Sequence, residues 1–307
     1  MPLAFVTGAA GFIGRYCAME LGARNYIVSG FDAAPMPEAP DWGITHFYQT
    51  PVTAAVLDDA VQSHGLPEFL IHCAGSGSVP ASMQNPYADF MANVQSTLEV
   101  LDFSRRKGAT MKVVLPSSAA VYGNIAANSL AENMVGQPLS PYGIHKKVME
   151  DLAAGYGRNH SVPSVCVRLF SVYGAGLKKQ LFWDACHKAV EGDFSFYGNG
   201  KEERDWLHVK DAVCLLLLAA EYASPSRPVV NGGTGHGTSL KDVLSILGKT
   251  WSPVLTPNFT GQIRTGDPDR MVADISLLRN WSFIPNISLE FGIQDYVRWF
   301  QSRNSHD

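Results

Sequence analysis

Val6-Thr7-Gly8-Ala9-Ala10-Gly11-Phe12-Ile13-Gly14 is the stretch that decides the fold. A short apolar run, Leu3 to Val6, precedes it, and helical spacing over Phe12 to Gly22 follows. Glycines between a strand and a helix let the chain turn tightly. They also bring backbone N–H groups against a pyrophosphate at the positive end of the helix. A glycine-rich turn can equally be structural, so a second signal is needed. Eighteen residues past Gly14, Asp32 closes the next β run, Tyr26 to Phe31. A carboxylate there accepts from adenosine ribose hydroxyls and repels a 2′-phosphate. No Arg or Lys lies between Asp32 and Trp42 to hold such a phosphate. Together the two signals imply NAD rather than NADP.

Outward from this point, strand and helix alternate. The pattern predicts a helix over 53–64, a buried strand at Phe69–Cys73 and a helix over 88–107. A strand at Lys112–Pro116, a helix over 142–158 and a strand at Ser164–Leu169 follow. The fold class implied is α/β, a Rossmann-type doubly wound parallel sheet. After Gly174 the regularity fades into loops rich in Gly, Pro and aromatics at 192–206, 223–238 and 252–270. These suggest a smaller C-terminal substrate-binding lobe over 174–307, interleaved with a dinucleotide-binding domain over 1–173. Segments 207–222 and 269–280 are expected to pack back on the main sheet.

Bulk properties exclude several classes. With 307 residues and a net charge of -4, there is no general attraction to nucleic acid or an anionic membrane. The longest apolar run, Ala212 to Ala220, is too short to span a bilayer and reads as a buried helix. The cysteines at 17, 73, 166, 186 and 214 form no CxxC pair and no zinc spacing with histidine. No metal is expected, and a reduced, cytoplasmic protein is. The chain enters Leu3-Ala4-Phe5-Val6 with no leader pattern before it.

Two segments carry chemistry. Tyr142-Gly143-Ile144-His145-Lys146 places a Tyr and a Lys on one helix face. An ammonium beside a phenol favours the phenolate, which lowers the Tyr pKa from about 10 toward the range of a general base. Taken alone, such a pair is usually a solvated face. Leu115-Pro116-Ser117-Ser118-Ala119-Ala120-Val121-Tyr122-Gly123 sets hydroxyls at the carboxyl edge of the sheet, where doubly wound proteins bind ligands.

With these residues in place, the chain resembles the extended short-chain dehydrogenase/reductases, in particular the nucleotide-sugar epimerase/dehydratase group. The resemblance runs from Thr7 to about Arg279. Thr7-Gly8 to Gly14, including Gly11, Phe12 and Ile13, looks like the TGxxGFIG fingerprint, and His72-Cys73-Ala74-Gly75 like the HxAG strand end. Asn93 looks like the Asn of the central helix. The resemblance implies that Tyr142 is the acid/base and that Lys146 holds the nicotinamide ribose and tunes Tyr142. Ser118 would hydrogen-bond the reacting sugar oxygen. It also implies a homodimer, with the helices over 88–107 and 142–158 paired across a two-fold axis.

The later segments resemble the group's substrate elements. Tyr197-Gly198-Asn199-Gly200, Arg204-Asp205-Trp206-Leu207-His208-Val209-Lys210-Asp211 and Arg264 with Gly266-Asp267 correspond to them in order. By that likeness Arg204 and Arg264 clamp the diphosphate of a nucleotide-diphosphate sugar, and Asp267 accepts from its ribose. A guanidinium suits that task, because it pairs bidentately with phosphate oxygens. Arg204 could instead pair with Asp205 or Asp211 as a structural ion pair. Phe194, Phe196, Tyr197 and Trp206 read as lobe core, with Tyr197 the best placed to touch the base.

The chain also departs from the group. Ser171 in Arg168-Leu169-Phe170-Ser171-Val172-Tyr173-Gly174 replaces the Asn that helps place the diphosphate, Gln49-Thr50-Pro51-Val52 lacks the acidic adenine contact, and Thr265 replaces a proline. Ala119 and Ala120 stand where dehydratases of the group carry an Asp-Glu pair, so elimination and decarboxylation are disfavoured. Three readings stay open: a C4 epimerase with bound NAD, an NAD(P)H-dependent reductase of a 4-keto nucleotide sugar, and a non-catalytic dinucleotide sensor. The last has no need of Ser118, Tyr142 and Lys146 together.

Overall fold

Apolar runs make the sheet: β1 (Leu3–Thr7) is buried at all five positions, and so are later strands that stand between helices on both faces. The computed structural model describes residues 1–37, 41–262 and 268–304. It divides the chain into two units. The first comprises Met1–Gly123, Val135–Leu169 and Val213–Val230; the second comprises Asn124–Met134, Phe170–Ala212 and the chain from Asn231.

In the first unit, β1 is followed by α1 (Phe12–Ala23), β2 (Ile27–Asp32), β3 (His46–Gln49), α2 (Ala54–His64) and β4 (Phe69–His72). Then come α3 (Val79–Gln84), α4 (Pro86–Phe90), a wide π turn at Met91–Gln95 and α5 (Ser96–Arg106). The series ends with β5 (Lys112–Ser118), a 3-10 turn at Ala119–Tyr122, α6 (Pro141–His160) and β6 (Ser164–Leu169). The strands from β1 to β6 stand in the order β3-β2-β1-β4-β5-β6, all neighbours parallel. The order reverses direction between β1 and β4, the switch point at which such sheets bind ligands. Phe5, Phe31, Leu70, Leu101, Phe103, Val113 and Leu115 form its core. Each such side chain contributes about 1.5–3 kcal/mol on burial. Local caps set the helix starts: Thr53 accepts from Val56 N before α2, and Ser140 from Gly143 N before α6.

In the second unit, β7 (Ser171–Tyr173), α7 (Gln180–Glu191), β8 (Ser195–Phe196) and β9 (Glu203–His208) come first. The chain returns to the first unit through α8 (Val209–Glu221) and β10 (Val229–Gly232), which lies beside β6 as the seventh strand. It then adds β11 (Gly237–Ser239), α9 (Leu240–Thr250), β12 (Asn258–Phe259), β13 (Arg270–Met271), α10 (Ser276–Asn280) and α11 (Leu289–Asn304). A small sheet, β11-β9-β13 with β7 also on β9, and a β12-β8 pair organise this unit.

Three expectations are corrected. Segment 269–280 does not return to the main sheet. β13 pairs with β9, and Ala273 N donates to the buried Asp205 carboxylate at 3.2 Å. That carboxylate also accepts from Thr234 N (2.7 Å), Thr234 Oγ1 (2.7 Å) and Gly235 N (2.9 Å), so one residue ties three segments together. Residues 124–134, placed by sequence in the dinucleotide domain, belong to the second unit: Leu130 N donates to Val272 O and Asp274 N to Leu130 O. The helix over 88–107 is interrupted by the π turn, a feature common at functional sites.

Candidate active site

The carboxyl ends of β1, β4 and β5 gather the candidate residues of the first unit. After β1 the chain turns on Gly8, at φ +65°, where an added Cβ would lie 2.5 Å from Ala74 N. Gly11 caps α1 without a side-chain acceptor for the first-turn N–H groups. Those are the donors a pyrophosphate takes at such a helix end, and Phe12, Ile13 and Gly14 supply that first turn. Asp32 ends β2 beside them. Its Oδ2 accepts from Ala10 N at 3.0 Å and its Oδ1 from Ala34 N at 2.9 Å, so the carboxylate is fixed against the glycine turn. Among the described residues it has no ion-pair partner. The open helix end and the fixed, unneutralised acid fit NAD, with its ribose hydroxyls, and oppose a 2′-phosphate.

A buried relay joins β1 to β4. Ala74 N donates to Thr7 Oγ1 (3.2 Å), Thr7 Oγ1 lies 2.8 Å from His72 Nδ1, and His72 Nε2 lies 3.2 Å from Ser96 Oγ. Ser96 donates to Ala92 O, so Nε2 carries the hydrogen and Nδ1 accepts from Thr7. Burial, then the nearby Lys146 ammonium, lowers the His72 pKa to about 3. Asn93 sits inside the π turn. Its Nδ2 donates to Asp89 O at 3.2 Å, and its Oδ1 is buried with no hydrogen-bond partner. Gly75, at φ +145°, is the residue that leaves room for that oxygen; a Cβ there would lie 2.7 Å away.

Ser118, Tyr142 and Lys146 come together at the end of β5. Ser118 Oγ accepts from Ala120 N (3.1 Å) and hydrogen-bonds the Tyr142 phenol. Lys146 Nζ donates to Pro116 O at 3.0 Å and lies 6.0 Å from the Tyr142 ring centre. The expected lowering of the Tyr142 pKa is not what this arrangement gives. Burial raises it, the Ser118 bond lowers it in part, and Asp89 raises it further. Burial also lowers the Lys146 pKa to about 8. Tyr142 N donates to Ser82 Oγ at 3.1 Å, which fixes the start of α6.

Sequence reasoning missed what holds α6 in register. Arg168 of β6 pairs bidentately with Glu150 of α6, Nη2–Oε2 at 2.8 Å and Nε–Oε1 at 2.9 Å. Ser117, next to Ser118, donates to Glu150 Oε1 at 2.6 Å. Glu150 lies four residues past Lys146 and eight past Tyr142, on the same helix face, which is the signal that could have found it.

In the second unit, Ser171 of β7 stands opposite Trp206 of β9. Arg204 Nη1 donates to Glu203 O (2.9 Å) and Pro268 O (2.8 Å). Asp205 is held as described, and Asp211 accepts from Asn286 N and Ile287 N, both at 3.0 Å. Phe194 and Phe196 are core, while Tyr197 is 55% exposed. Arg264 and Asp267 lie outside the described residues. Among the described residues no group of His, Cys, Asp and Glu could hold a metal ion.

A protein built this way is a dinucleotide-binding enzyme of the extended short-chain dehydrogenase/reductase class. Comparison with known proteins narrows the class. The profile of the NAD dependent epimerase/dehydratase family matches residues 4–233, and the chain belongs to that family. It is 28% identical to a putative UDP-glucose 4-epimerase of Methanocaldococcus jannaschii, over 97% of this chain and 98% of that one. Among solved structures it is similar to the UDP-glucose 4-epimerase of Thermotoga maritima with UDP-glucose. There the TM-score is 0.89 and the identity 26%, over 98% of this chain and 99% of that one. It is also similar to MoeE5 in complex with UDP-glucuronic acid and NAD, with TM-score 0.87 and identity 28%, over 99% and 100%.

Proposed function

We propose that this chain epimerises a nucleotide-diphosphate sugar at C4, with NAD bound throughout the cycle and a transient 4-keto sugar as intermediate. The observation that carries the reading is the gathering of Ser118, Tyr142 and Lys146 beside a glycine turn with a fixed acid at Asp32. Relatives that act on or bind UDP-sugars make a uridine nucleotide the first to test.

The first turn of α1, Asp32, Ala74, Gly75, Asn93 and Lys146 would hold NAD, which when bound supplies a hydride acceptor and donor for C4. Tyr142 takes the proton of the C4 hydroxyl as its C–O bond becomes a carbonyl, and later returns it to the C4 oxygen. Ser118 hydrogen-bonds that oxygen and steers it to the phenol. Lys146, held by Pro116 O, stands beside the phenol and would hold the nicotinamide ribose. Ala119 and Ala120 offer no second acid or base for elimination. Ser171, Tyr197 and Arg204, with Arg264 and Asp267, are the residues we assign to the nucleotide diphosphate.

The test is incubation with UDP-, dTDP- and GDP-hexoses without added cofactor, the sugars resolved by NMR. Conversion to the C4 epimer is expected. A 4-keto-6-deoxy product, or strict dependence on added NAD(P)H with a keto sugar, would overturn the reading. We further propose a homodimer paired through α5 and α6, where a hollow lined by Val148, Leu152 and Tyr156 marks the outer face of α6. The location we propose is the cytoplasm, on the five free cysteines.

A further inference from the structure

Tyr142 has a neighbour that this mechanism leaves unused. One turn along α6, His145 Nδ1 lies 2.6 Å from Asp89 Oδ2 of α4. The two side chains are 12% and 2% exposed. A carboxylate only accepts, so Nδ1 carries the hydrogen and donates. Phe90, next to Asp89, meets the imidazole edge-on at 5.5 Å between ring centres. The other Asp89 oxygen, Oδ1, is buried and has no hydrogen-bond partner. An acceptor left like that is costly in a low-dielectric interior, and more so when charged. A surface ion pair would carry little meaning. This one is buried, half satisfied and one helical turn from the proposed acid/base.

We propose that Asp89 and His145 form a positioning pair for Tyr142: His145 fixes the Asp89 carboxylate beside α6, so that the proton exchanged with the sugar moves in the field of a charge held by another helix. The proposal rests on the reading of Tyr142 as acid/base. In one cycle Tyr142 must break the sugar O–H bond by taking its proton, then form that bond again by giving the proton back. Ser118 draws the phenol toward ionisation, and Asp89 opposes it. Asp89 also favours the charged form of Lys146, as does Glu150 on α6. α3 and the π turn bring no charge to this face. The charges of α5 are engaged elsewhere, Asp102 with Arg105 and Arg106, and Glu99 with Ala54 N.

The experiment titrates Tyr142 directly in the NAD-loaded protein. Tyrosinate absorbance of each protein is measured against the same protein carrying Tyr142→Phe. Asp89→Asn keeps an acceptor for His145 and removes the charge, so Tyr142 is expected to ionise at lower pH, and the acid limb of the kcat/KM profile to move the same way. His145→Leu is expected to lower kcat about tenfold with KM changed less than about twofold. His145→Gln, which restores an N–H donor, is expected to recover most of that loss. An unmoved Tyr142 titration and pH profile in Asp89→Asn, with Tyr142→Phe inactive, would overturn the pair and leave the acid/base reading standing. A Tyr142→Phe variant of near-normal activity would remove the acid/base reading, and the pair with it. If His145→Leu does not fold, Asp89→Asn and His145→Gln, both close in shape to the native residues, still decide.

Discussion

His72, 3% exposed, accepts from Thr7 on one side and donates to Ser96 on the other, and its neutral form is what both bonds require. Its folded pKa of about 3 lies below the ordinary 6.5, so between these values the unfolded chain binds a proton that the folded chain does not. Stability from this residue is therefore present above pH 6.5 and lost as pH falls toward 3. The slope is at most about 1.4 kcal/mol per pH unit. Urea unfolding across the acid range checks it: His72→Gln is expected to flatten the slope, and equal slopes would assign the acid sensitivity elsewhere. At Tyr142, replacement by Phe is expected to lower turnover at least about a hundredfold with NAD retained. At Asp32, calorimetric titration is expected to find NAD bound more tightly than NADP, and comparable binding would contradict the role given to this acid. The types and order of Ser118, Tyr142 and Lys146 were legible in the sequence. The Tyr142 charge balance was not, because it depends on burial and on Asp89, fifty-three positions earlier in the chain.

α6 carries two of the proposed catalytic groups, and its register against the sheet rests on Glu150, Arg168 and Ser117. Breaking such a pair leaves an uncompensated buried charge. Glu150→Ala is expected to lower stability by about 3–5 kcal/mol, whereas a Glu150→Met, Arg168→Met double variant is expected to recover much of the loss. Denaturant midpoints of the three proteins decide it, and a double variant as unstable as the single would mean that packing, not charge, is what Glu150 provides. β1, β2, β4, β5 and β6 could be read because a strand covered on both faces is a continuous apolar run, whereas the half-buried edge strand β3 could not. The π turn could not, since 88–107 keeps helical spacing through it. Nor could the place of Met271-Val272-Ala273, whose apolar pattern suits either sheet. The Asp205 carboxylate, sixty-eight positions away, decides it.

For the whole molecule, the assembly we propose makes a direct prediction. Light scattering at micromolar concentration is expected to give twice the mass of one chain, and a monomer alone would refute the pairing of α5 and α6. The sequence placed a single joint at 173/174, whereas the chain divides into two units of three segments each. The joints between those segments are set by single polar residues such as Asp205, which hydropathy does not register.

The interleaving constrains how the protein is made. The chain passes between its two units five times, at 123/124, 134/135, 169/170, 212/213 and 230/231. A ribosome has released every segment of the first unit once Val230 is out, yet Asp205 is still waiting for Thr234, Gly235 and Ala273. A nascent chain stopped at that point therefore holds every segment of the first unit and a half-built second unit whose Asp205 lacks the amides that hold it. Arrested nascent chains just long enough for Val230 to have left the ribosome should resist protease over the first unit and be cut readily within 170–212.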